Sequence, residues 1–167
     1  FIGRIKNDQL GAIFTHDICA SGALFNTSPA TQGPPTARCL IFVTPDAQRT
    51  MCTYLGASVL LNPKDLDFSI IKQSKVLYLE GYLWDNAEAK RAFLAASTTA
   101  KTSNKKVALS LSDSFCVDRH RQSFLELIEN HVDILFCNES EINSLYQSKT
   151  LEKSIDKARK CSPITAI

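Results

Sequence analysis

The sequence lacks the features typical of nucleic-acid-binding and membrane-spanning proteins. Its 19 Lys and Arg residues stand against 17 Asp and Glu, a net charge of +2. That balance leaves no basic excess to neutralise a phosphate backbone or an anionic membrane. The apolar runs 39–43 and 77–84 are far shorter than the roughly 20 residues that a membrane span needs. With 167 residues, 44% of them hydrophobic, we expect a globular chain with a genuine core that binds neither nucleic acid nor membranes.

The cysteines also lack the spacings that are typical of metal sites. The six cysteines lie 13 or more residues apart, without a Cys-x-x-Cys pair or a His at ligand spacing, which argues against zinc. Cys39 and Cys137 lie in apolar, strand-like runs, where a thiol behaves as a small buried hydrophobe. We therefore expect reduced core cysteines and a cytoplasmic protein, with a disulfide framework as the alternative.

Both ends of the sequence are unusual. The chain begins at Phe1 without an initiator Met, shows no secretory signal pattern, and closes on 163–167, which is typical of a strand just begun. We therefore expect these residues to be an internal piece of a longer chain.

Residues 66–167 alternate between strand and helix patterns. Predicted strands start at residues 76, 107, 132 and 164, which are 31, 25 and 32 residues apart. This is the spacing of right-handed β-α-β units, whose strands are parallel and buried on both faces. The predicted helices between them span 87–100, 118–130 and 151–160.

The first third has a different pattern. A short helix is predicted between an N-cap at Asp8 and a stop at Gly22. Two β-rich runs, 37–43 and 49–55, flank a Pro-Asp turn and predict an antiparallel hairpin. Asn62-Pro63 indicates the start of the next helix.

Glu80 is a candidate site residue because it is the only residue of the apolar run 76–84 that is charged at neutral pH. A buried carboxylate needs a partner, since an isolated one is costly. One interpretation is a strand-end Glu that accepts hydrogen bonds from loop amides, and the other is a carboxylate that binds substrate hydroxyls. Ligands of open parallel sheets bind beyond the carboxyl ends of the strands.

The segment after the next strand is densely charged. We interpret Asp113 as a turn residue and Asp118 as lying near a helix N-terminus. The alternative is that Arg119 or Arg121 meets a phosphate. His120 and the other two histidines receive no role.

Asn138 and Glu141 follow the third predicted strand and form a capping box, with Asn138 as N-cap and Glu141 at the third helical position. The same tetrad suits phosphate chemistry, because a helix N-terminus attracts anions and these side chains can hold phosphate oxygens and the water shell of Mg²⁺.

At these residues the chain resembles the ribokinase-like, PfkB-type carbohydrate kinase family. Residues 3–11 are similar to the family's Gly-x-Val-Gly-x-Asp-x-x-Gly segment, with Lys6 in place of the middle Gly. The segment 36–38 with its hairpin resembles the family's β-lid. Glu80 and the pair Asn138 and Glu141 match its strand-end substrate position and its Asn-x-x-Glu motif. The strings 36–51 and 78–85 resemble the adenosine kinase and sugar kinase subgroup.

The resemblance implies a three-layer α/β/α fold with a mostly parallel sheet and a small antiparallel β-lid, here incomplete. It implies a single kinase domain over 1–167, with the lid hairpin at about 36–56 and the α/β core at about 1–22 and 62–167. It implies ATP and Mg²⁺ as cofactors, with Asn138 on the nucleotide and Glu141 holding Mg²⁺ through water. Glu80 and the lid positions Cys39 and Ile41 would contact the acceptor.

The implied reaction transfers the γ-phosphoryl group of ATP to an alcohol of a nucleoside or sugar, with adenosine ahead of ribose or fructose. The family's Gly-Ala-Gly-Asp motif, which carries the catalytic base, does not occur in this sequence and is expected beyond Ile167. We therefore expect no turnover from these residues alone, and a monomer or homodimer. Two alternatives stay open: a non-catalytic sugar- or nucleotide-binding regulator on the same scaffold, which Lys6 favours, and a generic α/β domain in which Asn138 and Glu141 only cap a helix.

Overall fold

A computed structural model describes residues 1–161 and 164–167 of the chain. Its contacts divide it into two compact units, residues 1–66 and residues 67–167. Pro163, which the sequence pattern assigns to the terminal strand-like run, lies outside the described residues. The part of that run at Ile164–Ala166 is a strand, as predicted.

The first unit opens with helix α1, Gln9–Ala20. Asp8 is its N-cap, because its carboxylate accepts a hydrogen bond from the Gly11 N–H. Beyond the last turn, Gly22 has a φ of +88°, a conformation that glycine adopts without a steric cost. Both predicted ends of this helix are therefore confirmed.

An antiparallel hairpin follows, formed by β1, Arg38–Val43, and β2, Arg49–Tyr54. Every residue of both strands is exposed, including the apolar side chains. The predicted hairpin is confirmed, but the expectation that Cys39 is buried is wrong, because an apolar run in a two-stranded ribbon has no layer to cover it.

Single 3-10 turns complete the first unit. Asn62 caps the turn Pro63–Asp65 in a capping box, so the predicted start at Asn62-Pro63 is confirmed, although it opens one turn and not a longer helix. Asp65 also accepts two hydrogen bonds from one guanidinium nitrogen of Arg4, both at 2.8 Å. This ion pair fixes the chain before α1 to the end of the unit.

The second unit is a parallel sheet of four strands in the order β3-β4-β5-β6. The strand order follows the chain order, so right-handed connections place the connecting helices on one face of the sheet. The predicted α/β class, with a parallel sheet beside a small antiparallel one, is confirmed. The elements are α2 Phe68–Gln73, β3 Val76–Glu80, α3 Ala87–Thr102, β4 Lys106–Ser110, α4 Ser114–His131, β5 Ile134–Phe136, α5 Glu139–Tyr146, α6 Leu151–Cys161 and β6 Ile164–Ala166.

Helix α3 agrees with its sequence prediction, whereas helix α4 begins earlier than predicted. The face of α3 that contains Ala89, Phe93 and Ala96 is buried, as its 3.6-residue spacing predicts. Helix α4 begins four residues before the predicted 118, because Asp113 accepts a hydrogen bond from the Phe115 N–H and is itself the N-cap. The interpretation of Asp113 as a turn residue is therefore corrected.

The two faces of the parallel sheet differ in burial. Val107, Leu109 and Leu135 are fully buried. On the other face Tyr78 is 54% and Phe136 42% exposed. The expectation that every strand is buried on both faces is thus wrong for β3 at Tyr78 and for β5 at Phe136.

The cysteines and the helices bear on two further expectations. All six cysteines lie in the described part of the chain as free thiols, but only Cys116 is buried, so they are not core cysteines as a group. None of the described helices is long and apolar enough to cross a membrane.

Candidate functional site

Glu80 lies at the carboxyl end of β3, where its carboxylate is half-buried. Oε1 accepts a hydrogen bond from the Ser112 hydroxyl, and Oε2 accepts one from the Tyr78 hydroxyl at 3.2 Å. The partners are therefore two side-chain hydroxyls, and not the loop amides of the first interpretation. Each carboxylate oxygen keeps a lone pair for a further donor.

The approach of Ser112 to Glu80 depends on the backbone that follows each strand. Glu80 pairs with Ser110 in the β3–β4 register, which places the two strand exits side by side. A Cβ at Gly81 would lie 2.5 Å from the Ser110 carbonyl oxygen and 2.8 Å from that of Leu111. Only glycine permits this close approach of backbone to backbone.

Asn138 and Glu141 begin α5 at the carboxyl end of β5 and form the predicted capping box. The Asn138 Oδ1 accepts from the Glu141 N–H at 2.9 Å, and the Glu141 carboxylate accepts from the Asn138 N–H at 3.0 Å and from its side-chain amide at 2.8 Å. Glu141 is buried and Asn138 exposed. Asn138 is therefore the exposed member of the pair, and its side-chain amide keeps one N–H beside the hydrogen bond to Glu141.

Both predicted strand-end sites lie at the carboxyl ends of strands of the same parallel sheet. One follows β3 and the other follows β5, with β4 between them. Among the described residues no hydrogen bond joins Glu80 to Asn138 or Glu141. Their charges nevertheless meet at Tyr82: burial raises the pKa of its phenol, and the carboxylates of Asp113, Glu80 and Glu141 raise it further.

Cys137 directly precedes the capping box, and its thiol is unreactive. Burial, together with the nearby charge of Glu141, raises the pKa of its thiol to about 12. A thiol with that pKa stays protonated at neutral pH and is a poor nucleophile. Cys137 therefore contributes no reactive group to this edge.

Arg119, His120 and Arg121 of α4 contact acceptor groups within the protein. Arg119 donates two hydrogen bonds to Asp85, at 3.1 and 2.8 Å, and Arg121 donates to Asp118 and to the Ser144 carbonyl. His120, which the sequence left without a role, lies 2.6 Å from Asp85 at Nε2. Each guanidinium is thus already paired with a carboxylate of the protein.

In the first unit, Cys39 and Ile41 occupy alternate positions of β1 and therefore lie on one face of the hairpin. Their cross-strand partners are Thr53 and Met51. The Cys39 thiol lies 3.1 Å from the Thr53 hydroxyl. The two predicted lid positions thus share one exposed surface.

The segment 3–11 is organised by Asp8 and Thr36, a pairing that the sequence did not indicate. The Asp8 carboxylate accepts from the Thr36 hydroxyl at 2.7 Å and from its N–H at 2.9 Å. These hydrogen bonds, led by that of the hydroxyl, lower the pKa of Asp8. Thr36 is buried although it is polar. That burial is seen only in the structure, so the sequence did not reveal the pair.

The side-chain chemistry of the Asn138–Glu141 pair fits Mg²⁺ only as a partial ligand set. Carboxylate and amide oxygens are the donors that Mg²⁺ prefers, and each Glu141 oxygen keeps a lone pair beside its capping hydrogen bond. The described residues contain no group of three or more His, Cys, Asp or Glu side chains that could hold a metal. A single carboxylate with waters and substrate phosphates is the usual protein share of a Mg²⁺ site.

The family model of the pfkB family carbohydrate kinases matches residues 1–165, almost the whole chain. Among curated proteins, a probable fructokinase-6, chloroplastic, from Arabidopsis thaliana is 25% identical over 150 residues, which are 85% of this chain and 38% of that protein.

Solved structures show the same relationship at higher identity. A probable sugar kinase protein from Rhizobium etli superimposes with a TM-score of 0.94 at 46% identity, over 99% of this chain and 50% of that one. Adenosine kinase from Sinorhizobium meliloti gives a TM-score of 0.93, also at 46% identity, over 98% of this chain and 50% of that one. The chain spans about half the length of these relatives or less.

Proposed function

We propose, because this chain belongs to the pfkB family of carbohydrate kinases, that the full-length protein transfers the γ-phosphoryl group of ATP to a hydroxyl of a nucleoside or sugar. The observation that carries the proposal is the family match over residues 1–165. The strand-end carboxylate and the capped helix on one sheet edge support it, because phosphoryl transfer depends on positioning and charge neutralisation.

Adenosine is our first candidate acceptor, and a ribose- or fructose-type sugar is the second. The 46% identity to a protein described as an adenosine kinase supports the first. The equal identity to a probable sugar kinase supports the second. Both acceptors share the chemistry of a ribosyl-type alcohol, which Glu80 would bind through its free lone pairs.

Each site residue has a proposed part in this reaction. Glu80 binds the acceptor through its carboxylate. Contact of Cys39 and Ile41 with the acceptor stays a prediction from the family resemblance. Asn138 donates its exposed amide to nucleotide phosphates, and Glu141 orients that amide and would hold Mg²⁺ through water. Bound Mg²⁺ would supply neutralisation of the phosphate charge. The base that takes the hydroxyl proton is proposed to lie in the parent chain beyond Ile167.

The regulator alternative stays a prediction. The Lys6 ammonium group donates a hydrogen bond to the Thr31 carbonyl at 2.7 Å. Its backbone is not among the described non-glycine positions with positive φ, so a glycine is not required there. We retain the kinase as the proposed function, acting in the cytoplasm as a monomer or homodimer.

The full-length protein tests the proposal directly. It should phosphorylate adenosine in the presence of ATP and Mg²⁺. It should phosphorylate inosine, ribose and fructose more slowly or not at all. A preference for ribose or fructose would retain the kinase and change the acceptor. Absence of phosphorylation of all four compounds, in a protein that melts cooperatively, would overturn the proposed function.

The variant Glu141→Gln of the full-length protein tests whether Glu141 holds Mg²⁺ or only caps α5. If Glu141 only caps α5, the change costs at most about 1 kcal/mol of stability and leaves kcat intact. We expect kcat to fall at least about tenfold, with partial recovery at high Mg²⁺ concentration, because the carboxylate charge is lost. Glu139→Gln, at an exposed position of the same helical turn, is the control and should keep its activity.

A further inference from the structure

Ser112 occupies a backbone conformation that serine rarely adopts. Its φ is +67°, in the left-handed region where a side chain is disfavoured. Such positions persist where the surrounding structure enforces them, and they concentrate at functional sites. Glycine would fit this conformation with less strain but would carry no hydroxyl.

The hydroxyl of Ser112 is directed to Glu80. It donates to Oε1 of the carboxylate and lies 3.3 Å from the Ser110 carbonyl, the residue that pairs with Glu80 across the strands. The glycine at position 81 opens the space for this approach, since a Cβ there would collide with two carbonyl oxygens. Two unusual backbone features thus serve one hydrogen bond.

A second donor completes the arrangement on the other carboxylate oxygen. The Tyr78 hydroxyl lies 3.2 Å from Oε2, and its ring packs against Phe136 with a centroid separation of 6.3 Å. Burial raises the pKa of Tyr78, and the Glu80 charge adds to the shift, so the phenol keeps its proton and stays a donor. With one donor on each oxygen, rotation of the carboxylate is restricted.

We propose that Ser112 is a positioning residue, whose hydroxyl holds the Glu80 carboxylate in the orientation that receives the acceptor's hydroxyls. The inference rests on the proposed function, in which Glu80 binds the acceptor. The backbone conformation at position 112 suits glycine, but serine lies there and its hydroxyl sets the geometry of Glu80. Ser112 does not itself touch the reacting atoms.

The test compares two glycine substitutions in the full-length protein, Ser112→Gly and Asn104→Gly. Asn104 has a φ of +55° and precedes β4, whereas Ser112 follows it. Both changes relieve a left-handed conformation, but only the first removes a hydroxyl from Glu80. Ser112→Asn tests rescue, because Asn tolerates this conformation and its amide can donate.

The readouts are KM for adenosine, KM for ATP, the melting temperature, and the Kd for adenosine by calorimetry. We expect Ser112→Gly to raise both adenosine constants roughly tenfold, the scale of one hydrogen bond to a charged group. KM for ATP should stay unchanged, and the melting temperature should not fall. Asn104→Gly should match the wild type, and Ser112→Asn should recover part of the lost affinity.

A second comparison, in a Glu80→Ala background, tests whether Ser112 acts through Glu80. There Ser112→Gly should change the adenosine constants by less than about twofold, because its target is gone. An undiminished effect in that background, or an adenosine Kd of Ser112→Gly equal to the wild type, would overturn the positioning role.

The calorimetric readout separates this inference from the proposed function. A wild-type protein that binds adenosine but phosphorylates none of the four compounds contradicts the kinase, while the Kd comparison still decides on Ser112. A wild-type protein that binds none of the four compounds overturns both.

Discussion

Asp133 is a buried carboxylate at the end of the sheet opposite the candidate site, just before β5. It accepts hydrogen bonds from the Val107 N–H at 2.8 Å and from the Lys101 ammonium at 3.0 Å. Burial alone would raise the pKa of Asp133, but these hydrogen bonds and the charges of Lys101 and Lys106 outweigh it, so the pKa is lowered. The residue therefore joins α3, β4 and β5 only while it is ionised.

A lowered pKa in the folded state has a definite sign in stability. The contribution of Asp133 is complete above the ordinary aspartate pKa of about 4 and is lost as the pH falls through the folded-state value. We expect Asp133→Asn to lower the free energy of unfolding by about 2 kcal/mol at pH 7, and by progressively less toward pH 3. Urea denaturation of the full-length protein at a series of pH values measures this. Asp156→Asn, in an exposed ion pair, is the control and should be near neutral; a pH-independent difference for Asp133→Asn would contradict the assignment.

At the scale of elements, α3 lies close to its neighbours because small side chains line its buried face. Ala92, Ala96 and Ala100 are each at most 3% exposed. Packing at this density leaves no room for additional methylene groups. These alanines therefore determine how closely α3 approaches β3 and β4.

We expect Ala96→Leu to destabilise the full-length protein by about 1–3 kcal/mol, because three further carbons enter a filled core. Thr98→Leu, two residues along on the exposed face of the same helix, is the control and should change stability by less than about 0.5 kcal/mol. Thermal or urea denaturation compares the two variants. Equal stability of the two would show that the alanine face does not limit the packing.

The elements also show what the sequence can and cannot predict. The strands of the second unit and the capping box of Asn138 and Glu141 follow from local patterns, because apolar runs and hydrogen bonds over three residues need no knowledge of distant segments. The partner of Glu80 could not be predicted in this way, because Ser112 is 32 residues away and reaches it only through the β3–β4 register.

Burial was harder to predict than strand position. An apolar run such as 39–43 predicts a strand, but it does not tell whether a layer covers that strand. The start of α4 was missed for another reason: Asp113 and Asp118 are both good N-cap residues, and only the hydrogen bond to the Phe115 N–H decides between them.

At the scale of the whole molecule, apolar surface is exposed in each unit. The hairpin exposes Leu40, Ile41 and Phe42, each at 55–60%, and the open sheet face exposes Tyr78 and Phe136. Contiguous exposed apolar surface of this kind favours association. Each unit therefore offers surface that a fluorescent hydrophobic dye can report.

We expect the 167-residue polypeptide alone to bind 1-anilinonaphthalene-8-sulfonate strongly and to show no ATP-dependent phosphorylation of adenosine or ribose. The full-length protein, measured at equal concentration, is the control and should bind less dye per mole. Measurable phosphorylation by the 167 residues would contradict the proposed location of the base. Dye binding no greater than that of the full-length protein would contradict the exposure of the sheet face.

The order of strands in the parallel sheet has a consequence for biosynthesis. Each of β4, β5 and β6 pairs with the strand that precedes it in the chain, so every contact of the growing sheet joins neighbouring β-α-β units. Domains generally fold from the N-terminus as they leave the ribosome. This sheet can therefore be assembled one strand at a time during translation, each emerging unit docking on an edge that is already in place.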